Sequence, residues 1–245
     1  MKKAVLIAAF VVAAVPTMAQ SLKYSVSGTC ADEGKKIYLI DQLTEKSIDS
    51  VAVKGGKFSF GGTAAKDALM AVKAEKSSWQ SLFFNDGTPV VINVNDSTLK
   101  GSALNERLTK CDLEVALPTK AFMEKTSKMG EEAIMANREA LQAELNKAIQ
   151  EQTACVNRIF REERQSLIPL AFAQLYFMDN GVEAYDDLVR EQVPFASHPY
   201  LKKAKDDIEA MMQPKDSEKT AFIGQQFIDL EMAGPDGKMH KLSEL

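Results

Sequence analysis

Cysteine and histidine are the residues best suited to redox, acid-base or metal chemistry, and this 245-residue chain has three of the first and two of the second: Cys30, Cys111, Cys155, His198 and His240. Their spacing argues against a built centre. No two cysteines are close in sequence, so there is neither a Cys-x-x-Cys redox pair nor metal-ligand spacing, and the histidines lie far apart. An odd number of thiols leaves at least one unpaired unless it bonds to another chain, and the reading is structural cysteines with at most one disulfide, its pairing unassigned. The carboxylate pairs Glu162-Glu163 and Asp206-Asp207 are adjacent in sequence. Adjacent residues do not share a helix face, so neither pair makes an acid-base couple.

Other chemistries are equally short of a motif. Gly55-Gly56 and Gly61-Gly62 flank one short strand and read as turns rather than as a phosphate loop, which would need its glycines between a strand and a helix. There is no serine nucleophile elbow. Trp79, in "EKSSWQSLFF", offers a stacking platform for a sugar, but a tryptophan near a strand is expected to pack in the core or at its rim. No catalytic, cofactor-binding or metal-ligating residue is therefore assigned. No cofactor and no enzyme activity are expected of this chain.

The first twenty residues carry an address. Lys2 and Lys3 precede the apolar run Ala4 to Val15, and Thr17-Met18-Ala19 presents small residues where signal peptidase reads, so cleavage is expected between Ala19 and Gln20. The run is shorter than the ~20 residues that span a bilayer as a helix, and no later segment approaches that length. The mature chain is expected to be soluble and periplasmic, without stable membrane insertion. Losing Lys2 and Lys3 makes the net charge of −4 two units more negative, which argues against nucleic acid as a partner.

Beyond the signal, residues 20–101 carry strand signals almost continuously. "LKYSVSG", "KKIYLID", "SIDSVAV", "KFSFGG", "ALMAVKA", "SLFFN", "PVVINV" and "STLKG" follow one another, bounded by Gly, Asp and Asn. Short strands at this interval predict an antiparallel β-sandwich or open barrel.

Residues 102–212 change character. Ser102 is placed to cap a helix on which Leu104, Leu108, Cys111 and Val115 recur at helical spacing until Pro118 interrupts the pattern. From Gly130 to about Arg164 a near-heptad series, Ile134, Leu141, Leu145, Ile149, Val156 and Phe160, predicts one long amphipathic helix with Cys155 bordering its stripe. Residues 166–178 are apolar nearly all round and predict a buried helix with Pro169 in its first turn. Two more helices are expected, Val182 to Glu191 and Pro199 to Met212. Residues 213–221 are polar and Pro-bearing, as a linker should be. In residues 222–245, alternating runs on either side of Gly234-Pro235-Asp236-Gly237 predict a β-hairpin.

These segments carry a resemblance. "IDSVAVKGGKFSFGG" and "LKGSALNERL" look like the β-rich domain that in Bacteroidota often precedes a thioredoxin-like domain, and "HPYLKKAKDDIEAM" resembles the helical region that follows it. "IGQQFIDLEMAGPDGKMHKLSEL" resembles the first hairpin of TlpA-like thiol-disulfide oxidoreductases of the alkyl hydroperoxide reductase and thiol-specific antioxidant superfamily. The resemblance implies an α+β chain that ends in the first β-hairpin of an incomplete thioredoxin-like domain, before the Cys-x-x-Cys whose first thiol is the nucleophile; none of Cys30, Cys111 or Cys155 matches those positions. The expectation is a truncated gene model or a premature stop. Two functions follow: a non-catalytic region that positions a redox domain or selects its partners among periplasmic proteins, or a binding module for a cell-envelope ligand or protein. The oligomeric state is left open.

Overall fold

The computed structural model describes residues 20–77, 80–212, 231–233 and 239–241. All eight expected strands form: β1 (Ser21–Thr29), β2 (Lys36–Asp41), β3 (Lys46–Ala52), β4 (Lys57–Ala65), β5 (Leu69–Ala74), β6 (Gln80–Phe84), β7 (Val90–Asn93) and β8 (Thr98–Lys100). They divide into two four-stranded sheets of order β4-β1-β7-β8 and β3-β2-β5-β6. The sandwich alternative of the sequence reading is the one adopted. Pairing is antiparallel throughout except β1 with β7, which run parallel, Val26 opposite Val90.

Local chemistry sets the turns. Gly55 and Gly56 both have positive φ, 60° and 70°, in a two-residue turn that glycine enters without steric cost. The Glu33 carboxylate accepts from both of their N–H groups at 3.0 Å, holding the turn from outside. The turn carries the chain from the second sheet into the first. Gly28 is fixed for another reason: a Cβ there would sit 2.3 Å from the Ile92 carbonyl oxygen and 2.4 Å from the Phe58 ring.

The first sheet buries one face. Val26, Phe58, Phe60, Val90, Ile92 and Leu99 point into the sandwich, while Ser25, Ser27, Ser59 and Val91 face outward. Strands β5 and β6 bury both faces. Met70, Val72, Ala74 and Phe83 belong to the sandwich core, whereas Leu69, Phe84 and the half-buried Leu82 pack into a second core made by the helices. The two cores thus share these strands as a common wall.

The helices are α1 (Ala103–Thr126), α2 (Glu131–Ala136), α3 (Arg138–Glu162), a 3-10 turn at Ile168–Phe172, α4 (Ala173–Asn180), α5 (Ala184–Arg190) and α6 (Pro199–Met212). Ser102 caps α1 as expected, its hydroxyl accepting the Asn105 N–H. Helices α1 and α3 run antiparallel, tied by Arg107 to Glu163 at one end and Lys125 to Glu144 at the other. Phe160 stacks on Tyr176 at 3.7 Å, joining α3 to α4.

Four helical expectations need correction. Helix α1 runs through Pro118. Packing against α3, with Gln152 Nε2 donating to the Val115 carbonyl at 3.1 Å, outweighs the lost proline hydrogen bond. The single helix expected from Gly130 to Arg164 is broken at Asn137 (φ −113°, ψ 18°). There the side-chain amide donates to the Ala133 carbonyl, competing with the backbone ladder, and α2 has no buried residue to hold it in line. The stripe on α3 follows a 3.6-residue rather than a heptad period: Leu141, Ala148, Val156, Ile159 and Phe160 are buried, while Ile149 and Ile134 are exposed. The helix expected over 166–178 is a 3-10 turn leading into α4, with Pro169 in the turn and Ser166 accepting the Ile168 N–H.

Two compact units divide the chain, one to Ile208 and one from Glu209 to Leu245. In the second, β9 (Glu231–Ala233) pairs antiparallel with β10 (Met239–Lys241), Met232 opposite His240, flanking the expected Gly-Pro-Asp-Gly segment.

Candidate functional site

Asn105 joins the sandwich to the helices. It is fully buried, its Oδ1 accepting the Phe84 N–H at 2.7 Å and its Nδ2 donating to the Phe84 carbonyl at 2.9 Å. The side-chain amide thereby stands in for a neighbouring strand on β6, the open edge of its sheet. Asn85, one residue beyond β6, donates from Nδ2 toward the carbonyls of Leu22, Ala64 and Ala65, stitching the two sheets together. The sequence reading placed Leu104 rather than Asn105 on the inner face of α1. A polar residue at an apolar period was the available signal.

With α1 anchored in this way, its middle passes the open end of the sandwich and leaves a cleft of about 360 Å³. Strands β5 and β6 supply Val72, Ala74, Gln80 and Ser81; the β7–β8 turn supplies Val94, Asn95 and Ser97; α1 supplies Ala116, Thr119, Lys120 and Met123. Asn95 is held by accepting the Ala31 N–H on Oδ1 and donating to Asn93, and Thr119 donates to the Ala116 carbonyl. Ser81 is 8% exposed, and its hydroxyl has no hydrogen-bond partner among the described residues. Asp112 lies one turn before Ala116. Burial lifts its carboxyl to about 6, and no partner among the described residues compensates it.

A second cleft, about 310 Å³, lies between the β4–β5 turn and the start of α6. His198 stands there. Its Nδ1 accepts the Tyr200 N–H at 3.2 Å and its Nε2 lies 3.1 Å from the Asp67 carbonyl, so the neutral ring with its proton on Nε2 satisfies both. Burial lowers the pKa of this imidazole, against the smaller opposing effect of the Asp67 carbonyl.

The cysteines are not brought together. All three are free thiols, Cys30 in the sandwich core, Cys111 on the buried face of α1, and Cys155 half-buried with its Sγ 3.4 Å from Arg158 Nη2. Burial pushes the Cys111 thiol up to about 11, which keeps it protonated and unreactive at neutral pH. The adjacent acids go to separate ion pairs: Glu162 with Arg158 and Glu163 with Arg107, Asp206 with Lys202 and Asp207 with Lys203. No group of three or more His, Cys, Asp or Glu side chains able to hold a metal ion occurs among the described residues. Nor is any described helix long and apolar enough to cross a membrane. Trp79, residues 1–19 with Ala19 and residues 213–221 lie outside the described residues; Gln20 is exposed and leads directly into β1.

Residues 24–108 match the family model described as a domain of unknown function, DUF4369. The match takes in nearly the whole sandwich and the first turns of α1 with Ser102 and Asn105, so the anchoring asparagine falls inside it. No curated protein and no solved structure matches the chain.

Proposed function

We propose that this chain is the exported, non-catalytic N-terminal region of a thioredoxin-like thiol-disulfide oxidoreductase, in which the sandwich and helices position the redox domain or select its partners. The observation that carries the reading is the division of the chain at Ile208. Sandwich and helices form one unit through the shared wall of β5 and β6, and the second unit contains a paired hairpin where the resemblance implies that the redox domain begins. A unit of this kind is suited to carrying another domain on the end of α6. The thiols fit a structural role, since Cys30 and Cys111 are buried in separate cores and Cys111 is held protonated.

Reading the transcript past the codon for Leu245 tests this. An in-frame continuation encoding a strand and a Cys-x-x-Cys supports the reading, and a stop with no such remnant overturns it. An insulin-reduction assay on the chain adds a second check: turnover with dithiothreitol should match that of the variant with all three cysteines changed to serine. A rate that disappears when Cys155→Ser alone is introduced would place redox chemistry in this unit.

A further inference from the structure

The cleft at the open end of the sandwich has an uneven chemistry. Its apolar lining comes from Val72, Ala74, Val94, Ala116 and Met123. Interleaved with these are groups that lack partners among the described residues: the hydroxyl of the nine-tenths-buried Ser81, which lies opposite Val72, the Gln80 amide, the Ser97 hydroxyl and the Lys120 ammonium. A buried hydroxyl without a hydrogen bond is left with an uncompensated desolvation cost, so Ser81 marks a place where a partner is gained on binding. The described lining contains one cation and no carboxylate. It is therefore matched to a single negative charge, and its volume of about 360 Å³ suits a small molecule.

We propose that this cleft binds a small monocarboxylate with an apolar body, its carboxylate paired with Lys120 and hydrogen-bonded by Ser81, Ser97 and Gln80, its hydrocarbon part against the apolar side chains between them. Charge and hydroxyl donors together favour the carboxylate over a neutral polyol, which would accept a hydrogen bond from the ammonium but form no ion pair with it. The inference is independent of whether a redox domain follows.

Titration calorimetry on the chain with hexanoate and benzoate, beside hexanamide, benzamide and glucose, tests it. Saturable binding of at least one acid is expected, with its amide weaker by about tenfold or more, because a charge-assisted bond is lost. Lys120→Met should impose the same loss. Ser81→Ala should weaken binding by about two- to fivefold, and Ser97→Ala serves the same purpose if the first variant does not fold. Lys110→Met, on the exposed side of α1, should leave binding unchanged. Equal binding of acid and amide, binding of glucose alone, indifference to Lys120→Met, or no saturation by about 20 mM of either acid would each overturn the proposal.

Discussion

The two sheets of the sandwich have four strands each, yet β1 and β4 present one face to water while β5 and β6 present neither. In β4 the pattern Lys57-Phe58-Ser59-Phe60 alternates, and each phenylalanine enters the sandwich core. In β5 the run Leu69-Met70-Ala71-Val72 is buried at every position, its residues divided between two cores. A strand buried on both faces cannot be covered by one partner. Its sheet is consequently the part of the molecule on which sandwich and helices depend equally, and damage to it should be felt on both sides.

The largest effects should follow from that difference. Leu69→Ala and Met70→Ala, adjacent in sequence but facing different cores, should each cost about 2–5 kcal/mol in urea unfolding. In β4, Phe58→Ala should cost about 3–5 kcal/mol, but its neighbour Ser59→Ala should stay within about 0.5 kcal/mol. If Leu69→Ala were as mild as Ser59→Ala, the shared-wall account would fail.

Next comes the joint itself. Asn105→Ala leaves the Phe84 N–H without its partner, while the Phe84 carbonyl keeps the Asp86 N–H at 3.0 Å, and should destabilise by about 1–3 kcal/mol. Leu104→Ala, one residue away and only half-buried, should cost clearly less. Hydrogen exchange at the Phe84 amide should rise in the first variant and not in the second.

The perturbed titrations of Asp112 and His198 pull in opposite directions. Asp112 has its folded pKa raised to about 6, so the neutral acid is the form the fold favours. Its contribution is fully present below the unfolded-chain value of 3.8 and is lost as pH rises through about 6. Asp112→Asn should therefore stabilise the chain at pH 7.5 by about 1–2 kcal/mol, with no gain at pH 3.5; thermal melts at the two pH values measure it. His198 has its folded pKa lowered, so the unfolded chain takes up a proton first as pH falls below 6.5. Stability from this group is present above 6.5 and declines below it. His198→Asn, which retains a capping oxygen for α6, should flatten that acid-side decline.

Much of this architecture is legible in the residues. Alternation and turn chemistry depend on neighbours a few positions away, and they located all eight strands, the Gly55-Gly56 turn, the Ser102 cap and the proline start of α6. The unbroken apolar run of β5 carried a signal of two-sided burial that its reading as an ordinary sandwich strand left unused, and it does not say which elements supply the second face.

What tertiary structure alone decided is of another kind. Which strand pairs with which, and the parallel contact of β1 with β7, depend on residues that are distant in sequence. The passage of α1 through Pro118 is settled by packing against α3, and the break at Asn137 by a side-chain bond in a segment with nothing buried to oppose it. The phase of the α3 stripe was set by the face that α1 offered rather than by the chain's own spacing. The cleft was invisible for the same reason: Ser81, Ser97 and Lys120 come from three elements, each ordinary in its local sequence, and line one cleft once α1 is packed against β6, where Asn105 bonds to Phe84. Short-range patterns fix elements because backbone geometry is local, whereas sites are made by long-range contacts whose partners the local sequence does not specify.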